Sequence, residues 1–179
     1  MKSVVEERSL LKHPFYVLWL EGRLPKEALQ KYTTQYFQLV EFLPRFITAL
    51  HDKCNDETVR RQLTNNLMEE ELGEGNGNIP HTDLWLDFAE ELGVTRKDVK
   101  NAELLPETKE AVNKIMKLCE SSVLEGAAAL YAYESQVPRI AEEKIKGLEK
   151  FYDITSEKAQ RFFQVHAVAD VKHGVIWKA

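Results

Sequence analysis

Near the end of the chain, His166, Asp170 and His173 stand at positions i, i+4 and i+7. On an α-helix these positions share one face over two turns. Side chains four apart lie about 5–6 Å from each other at Cβ, close enough to hold one ion in common. Neutral imidazole together with carboxylate suits iron, manganese or zinc. The whole sequence has five histidines, so two in one stripe is informative. A solvated stripe or a hydrogen-bonded core network is the bland reading. Phe162, Phe163, Val165, Ala169, Val171 and Ile176 argue against it, because they make much of this helix apolar. A buried carboxylate between two imidazoles is costly unless a cation compensates it, and a metal ion does so directly.

Further ligands are available upstream. Glu70 follows Leu67 by three and Leu63 by seven, so it faces the interior those leucines face. It also belongs to the run Glu69-Glu70-Glu71, with Glu74 close behind, and a charge run is usually a solvated helix end. His81 follows a glycine-rich segment and opens a helix. Glu134 closes Ala127-Ala128-Ala129-Leu130-Tyr131-Ala132-Tyr133, a stretch of small and aromatic residues that allows close helix packing. A buried Glu needs a partner, and Arg139 or Lys144 could supply one without any metal. Together these are three carboxylates and three histidines, the stoichiometry of a dinuclear carboxylate-bridged centre. The ferritin-like version takes a Glu-x-x-His pair from each of two helices. The spacing here differs, so that connectivity is not expected.

The elements that must position these groups read as helices throughout. Eight glycines and six prolines fall between long periodic segments, and no period-two pattern competes. A short helix runs to about Leu11, and a second from about Phe15 to Gly22. A long one runs from Pro25 toward Cys54, with Pro44 expected to kink or break it. Asp56 is placed to cap the next helix. Residues 73–80 form a loop, His81 to Glu91 a helix ending at Gly93, and Thr95 starts a short piece. Glu107 to Ser122 is helical, Val123 to Tyr152 is expected as one long helix bent near Pro138, and Thr155 or Ser156 caps the last. This is one all-α domain over residues 1–179. Net charge of −5 suggests no nucleic-acid partner. No apolar run reaches the roughly 18 residues of a membrane span. Cys54 and Cys119 are isolated, and free thiols in a cytoplasmic protein are expected of them.

On these residues the chain resembles the haem-oxygenase-like dinuclear metal oxidases. Among them it is most similar to the CADD-like para-aminobenzoate synthases, named for the Chlamydia protein associating with death domains. The segment Ala129–Leu148 carries the likeness nearly throughout, as do Phe15-Tyr16-Val17, Asn66-Leu67-Met68-Glu69-Glu70-Glu71 and His81-Thr82-Asp83-Leu84-Trp85. The resemblance implies a haem-oxygenase-like bundle of about seven helices without haem, in a cytoplasmic homodimer. It implies two irons, or one iron and one manganese, held by Glu70, His81, Glu134, His166, Asp170 and His173. It further implies para-aminobenzoate synthesis for folate, using dioxygen and an external reductant. Tyr16 would give the aromatic ring and Lys144 the amine, so that the protein is consumed by its product. By helix geometry Tyr133, adjacent to Glu134, is expected to face away from the metal while lining the same cavity wall.

From the residues alone, Tyr16 reads as a core aromatic beside Phe15 and Trp19, and Lys144 as a surface lysine within Glu142-Glu143-Lys144-Ile145-Lys146. Only the resemblance lifts either. The loop between Glu70 and His81 is longer than the family's, which leaves Glu71 and Glu74 as rival ligands. The chain stops six residues after His173, where the family continues, so its last helix is expected to be missing. One alternative is an oxidase of the same fold acting on an external small molecule. Another is a metal-free enzyme of the TenA/PqqC type, for which no cysteine is placed as the TenA nucleophile. A third is a helical interaction module with structural histidines.

Overall fold

Helix boundaries fall where side chains satisfy the first backbone N–H groups or where glycine lets the chain turn. The computed structural model describes the backbone of residues 2–176 and the side chains of residues 4–168. Its elements are α1 (Lys2–Glu7), a 3-10 turn (Leu10–Lys12), α2 (Pro14–Leu20), α3 (Lys26–Lys53), α4 (Glu57–Leu72) and α5 (His81–Glu91). Then follow α6 (Arg96–Lys100), α7 (Pro106–Ser121), α8 (Val123–Glu134), α9 (Val137–Tyr152) and α10 (Glu157–Ile176). Asp56 caps α4 by accepting from Val59 N at 2.9 Å, and Ser156 caps α10 by accepting from Ala159 N at 3.1 Å. The expected all-α fold is present: every regular element among the described residues is a helix. Seven of these helices have eleven residues or more.

Two boundaries differ from the sequence expectation. Helix α3 runs through Pro44 without a break. Pro44 removes one backbone N–H, but Leu43, Phe46, Ile47 and Leu50 bury themselves from the same helix and outweigh that loss. Conversely, Val123 to Tyr152 is two helices. The helix is interrupted at Ser135 and Gln136, because a helix tolerates proline in its first turn, where Pro138 stands, and not in its interior. The break comes directly after Glu134.

Two apolar clusters share α3 as their spine. One gathers Trp19, Phe37, Trp85, Phe88, Phe162 and Phe163. The other gathers Phe46, Ile47, Leu50, Leu63, Leu130 and Tyr131. The N-terminal segment lies along α9. Leu10 N donates to Gln136 Oε1 at 2.8 Å, and Trp19 packs on Gly147. A Cβ at Gly147 would lie 2.4 Å from Trp19 Nε1, so only glycine lets α2 approach this closely. Helix propensity favours alanine there by about 1 kcal/mol. Gly147→Ala is nonetheless expected to lower unfolding free energy by about 1–3 kcal/mol in urea, because the methyl overpacks a full core. A more stable variant would mean that Trp19 moves aside freely.

Candidate metal centre

The last turn of α4, the first of α5 and the middle of α10 meet between the two clusters. They bring Glu70, His81 and His166 together, and each is nearly fully buried. One ligand atom from each lies within 4.8 Å of the other two. His81 Nδ1 is 2.7 Å from Glu70 Oε2, and the two imidazole centroids are 4.5 Å apart. His166 stacks on Phe162 at 4.1 Å, and its Nδ1 sits 2.7 Å from the Phe162 carbonyl one turn back. A carbonyl only accepts, so Nδ1 carries the proton and Nε2 the lone pair. A carboxylate and two imidazoles withdrawn from water suit iron, manganese or zinc. Glu134, 1% exposed, ends α8 and lines a cavity of about 10 Å³ with Glu70, Tyr133 and His166. Glu71 and Glu74, the rival carboxylates, are exposed. Asp170 and His173 lie outside the described side chains.

A second constellation lies beside the first. Tyr16, Tyr133 and Lys144 line a small cavity of about 20 Å³ together with His166. The surface position read for Lys144 from its charged neighbours is overturned: it is 3% exposed. In α9, Ile140, Ala141, Lys144, Gly147 and Leu148 form one buried face, and the lysine belongs to it. Its Nζ lies 5.5 Å from the ring centre of Tyr16, 4.6 Å from that of Tyr32 and 4.9 Å from that of Tyr36. It also donates to the Tyr32 hydroxyl. Burial lowers its pKa from 10.5 to about 7. Burial also pushes Tyr16 up to about 12, against the lowering effect of its hydrogen bond with Tyr32. Tyr32 is raised well above 10.0, by burial first and by its phenol neighbours second. The phenols therefore keep their protons at neutral pH.

A family model described as an iron-containing redox enzyme matches residues 30–179. The chain belongs to this haem-oxygenase-like family. Within reach of it stand the 4-aminobenzoate synthase of Chlamydia pneumoniae, 39% identical over 94% of this chain and 74% of the relative, and that of Nitrosomonas europaea, 39% identical over 96% and 72%. The pyrroloquinoline-quinone synthase of Pseudomonas aeruginosa is 26% identical over 92% and 67%. Among solved structures, a TenA homologue from Pseudomonas syringae pv. tomato aligns with a TM-score of 0.80, at 19% identity over 98% of this chain and 73% of that one. A CADD-like protein from Nostoc punctiforme aligns at 0.76, with 23% identity over 95% and 74%. These two support the haem-oxygenase-like fold.

In this haem-oxygenase-like chain, sequence reasoning missed Tyr32 and Trp85 as parts of the lysine's surroundings. A signal existed, since Tyr32 and Tyr36 are four apart and so share a face of α3; in the structure the Tyr36 hydroxyl meets that of Tyr133 at 2.5 Å. No helix of the described residues is long and apolar enough to cross a membrane.

Proposed function

We propose that this chain makes 4-aminobenzoate from its own Tyr16, with the amine of Lys144, by dioxygen chemistry at a dinuclear iron or iron–manganese centre. The observation that carries the reading is the buried Lys144 Nζ, 5.5 Å from the Tyr16 ring in a small cavity that His166 also lines. The relatives that bear the name 4-aminobenzoate synthase support the product. Size supports an internal source. Sites for external small molecules typically enclose about 300–1,000 Å³, whereas about 20 Å³ holds little more than a water.

The chemistry maps onto the side chains. A tyrosine ring carries oxygen and a methylene para to each other, and 4-aminobenzoate carries nitrogen and a carboxylate para. The amine must therefore arrive at the phenol carbon, and Cβ must be oxidised and parted from Cα. Lys144 is buried against that ring with a pKa near neutrality, so much of its amine has a lone pair at pH 7. Tyr32 bridges the two reactants, through hydrogen bonds to Lys144 and to Tyr16. Tyr133 holds Tyr36 and walls both small cavities. Glu70, His81, Glu134, His166, Asp170 and His173 would hold the metal pair. The pair would supply oxidising equivalents from dioxygen, with electrons from an external reductant. A cytoplasmic homodimer belongs to the same proposal.

An open groove of about 440 Å³ reaches His81 between Glu69, Glu74, Glu157 and Arg161, and it favours the other reading, an external substrate. Turnover separates the two. Reduced protein loaded with Fe²⁺ and Mn²⁺ and given dioxygen is expected to release at most one 4-aminobenzoate per chain. His166→Ala is expected to release none and to bind the ions at least two orders of magnitude more weakly. That exceeds the ~10–100-fold loss from removing a mere partner of a ligand. Many turnovers per chain, or undiminished metal binding in the variant, would overturn the reading.

A further inference from the structure

The loop joining Glu70 to His81 is folded as a unit around one side chain, Asn76. With its amide nitrogen turned to the carbonyls, Asn76 donates to Gly73 O at 3.0 Å and to Ile79 O at 3.1 Å. Its side-chain oxygen then accepts from His81 Nε2 at 3.1 Å. The opposite orientation would keep one longer bond, from Ile79 N to Asn76 Oδ1 at 3.3 Å, and set that oxygen against the Gly73 and Ile79 carbonyl oxygens, so the hydrogen-bond network assigns the amide. The frame that holds it is specific. Gly73 has φ +67, and a Cβ there would lie 2.3 Å from the Ile79 backbone. The Gly73 carbonyl also accepts from the backbone of Asn76 and of Asn78. From the other side, Arg161 of α10 donates to the Asn76 carbonyl at 2.7 Å. The loop is thereby tied to the helix that carries His166.

We propose that Asn76 is a positioning residue for metal binding: its side-chain oxygen accepts a hydrogen bond from His81 Nε2–H, which keeps the proton on Nε2 and leaves Nδ1 as the ligating nitrogen. This rests on the metal reading given above. An amide oxygen only accepts, so a bond to it places a proton on Nε2. Nδ1 is the nitrogen 2.7 Å from Glu70 Oε2, on the side where the carboxylate and the second imidazole gather; a carboxylate only accepts, so without an ion Nδ1 also carries a proton, and an ion bound there would displace it. The two histidines thus face the metal with opposite nitrogens. His166 is held at Nδ1 by a helix carbonyl and presents Nε2; His81, first residue of its helix, is held at Nε2 by a loop and presents Nδ1. A partner of this kind fixes both tautomer and ring angle, and removing one weakens metal binding by ~10–100-fold.

Zn²⁺ serves as a diamagnetic probe in protein labelled with ¹⁵N-histidine. Long-range ¹H–¹⁵N spectra of the wild type are expected to show His81 protonated at Nε2 and metal-bound at Nδ1, with His166 reversed. In titrations with Mn²⁺, Asn76→Ala is expected to bind ~10–100-fold more weakly, and Asn76→Asp, which keeps an acceptor oxygen, to recover part of the loss. A wild-type His81 bound through Nε2 would overturn the inference even if both variants fail to fold. So would Asn76→Ala binding Mn²⁺ as tightly as wild type. A wild type that takes up neither ion would instead overturn the metal reading itself, and this inference with it.

Discussion

Oxygen exposure of the reduced, metal-loaded protein is expected to change the mass of the chain at Tyr16 and Lys144. Peptide mapping should find glycine-like remains of a cut side chain at position 16 and a lysine that has lost its amine at position 144. Tyr16→Phe is expected to lower 4-aminobenzoate release to background, a loss of at least about 100-fold, since the phenol carbon that must accept nitrogen loses its oxygen. Metal binding should persist, because Tyr16 sits on α2 and packs against Phe15, apart from the elements that bear the ligands. The fold should persist as well, since one hydrogen bond contributes about 0.5–1.5 kcal/mol net. The mapping also tests the choice of ring. Tyr32 lies nearer to the amine than Tyr16, at 4.6 against 5.5 Å. A cut at position 32, or undiminished product from Tyr16→Phe, would refute the assignment of Tyr16.

How far the chain could be read before its structure depended on how local each signal was. Glu70 and His166 were legible because helical period links each to apolar neighbours: Leu63 and Leu67 for one, Phe162 and Phe163 for the other. Glu134 was legible from the small residues before it. Lys144 was not legible from its charged neighbours, although its register was: it stands with Ile140, Ala141 and Leu148 on one stripe of α9. Charge identity overrode period in that reading, and the period was right. The bend expected near Pro138 is a break, because proline fits a helix start better than a helix middle. Asn76 had no signal at all. A loop has no period, and its partner His81 meets it through backbone turns that only positive φ at Gly73 allows.

Replacing Lys144 by Met is expected to stabilise the fold near pH 6.5, by about 3 kcal/mol in denaturant unfolding. In the folded chain burial drops the lysine's pKa from 10.5 to about 7. At ~1.4 kcal/mol per pH unit that drop is on the order of 5 kcal/mol. The rings around Nζ attract a cation by about 0.5–2 kcal/mol each when desolvated, and so recover part of the cost. The sign follows from proton counting. Between pH 7 and 10.5 the unfolded chain holds a proton that the folded chain lacks, so wild-type stability rises with pH through that window. Below pH 7 both states are protonated and the cost is present in full. The gain from methionine, similar in volume and uncharged, should therefore be largest at and below pH 7 and fade toward pH 10.5. A Lys144→Met protein less stable than wild type at pH 6.5 would mean that the aromatic walls hold a settled ammonium ion. An ammonium has no lone pair to offer Tyr16, so that result would remove the nucleophile on which the self-derived product depends. Stabilisation by methionine, together with loss of 4-aminobenzoate, would show a side chain that weakens the fold and is retained for its chemistry.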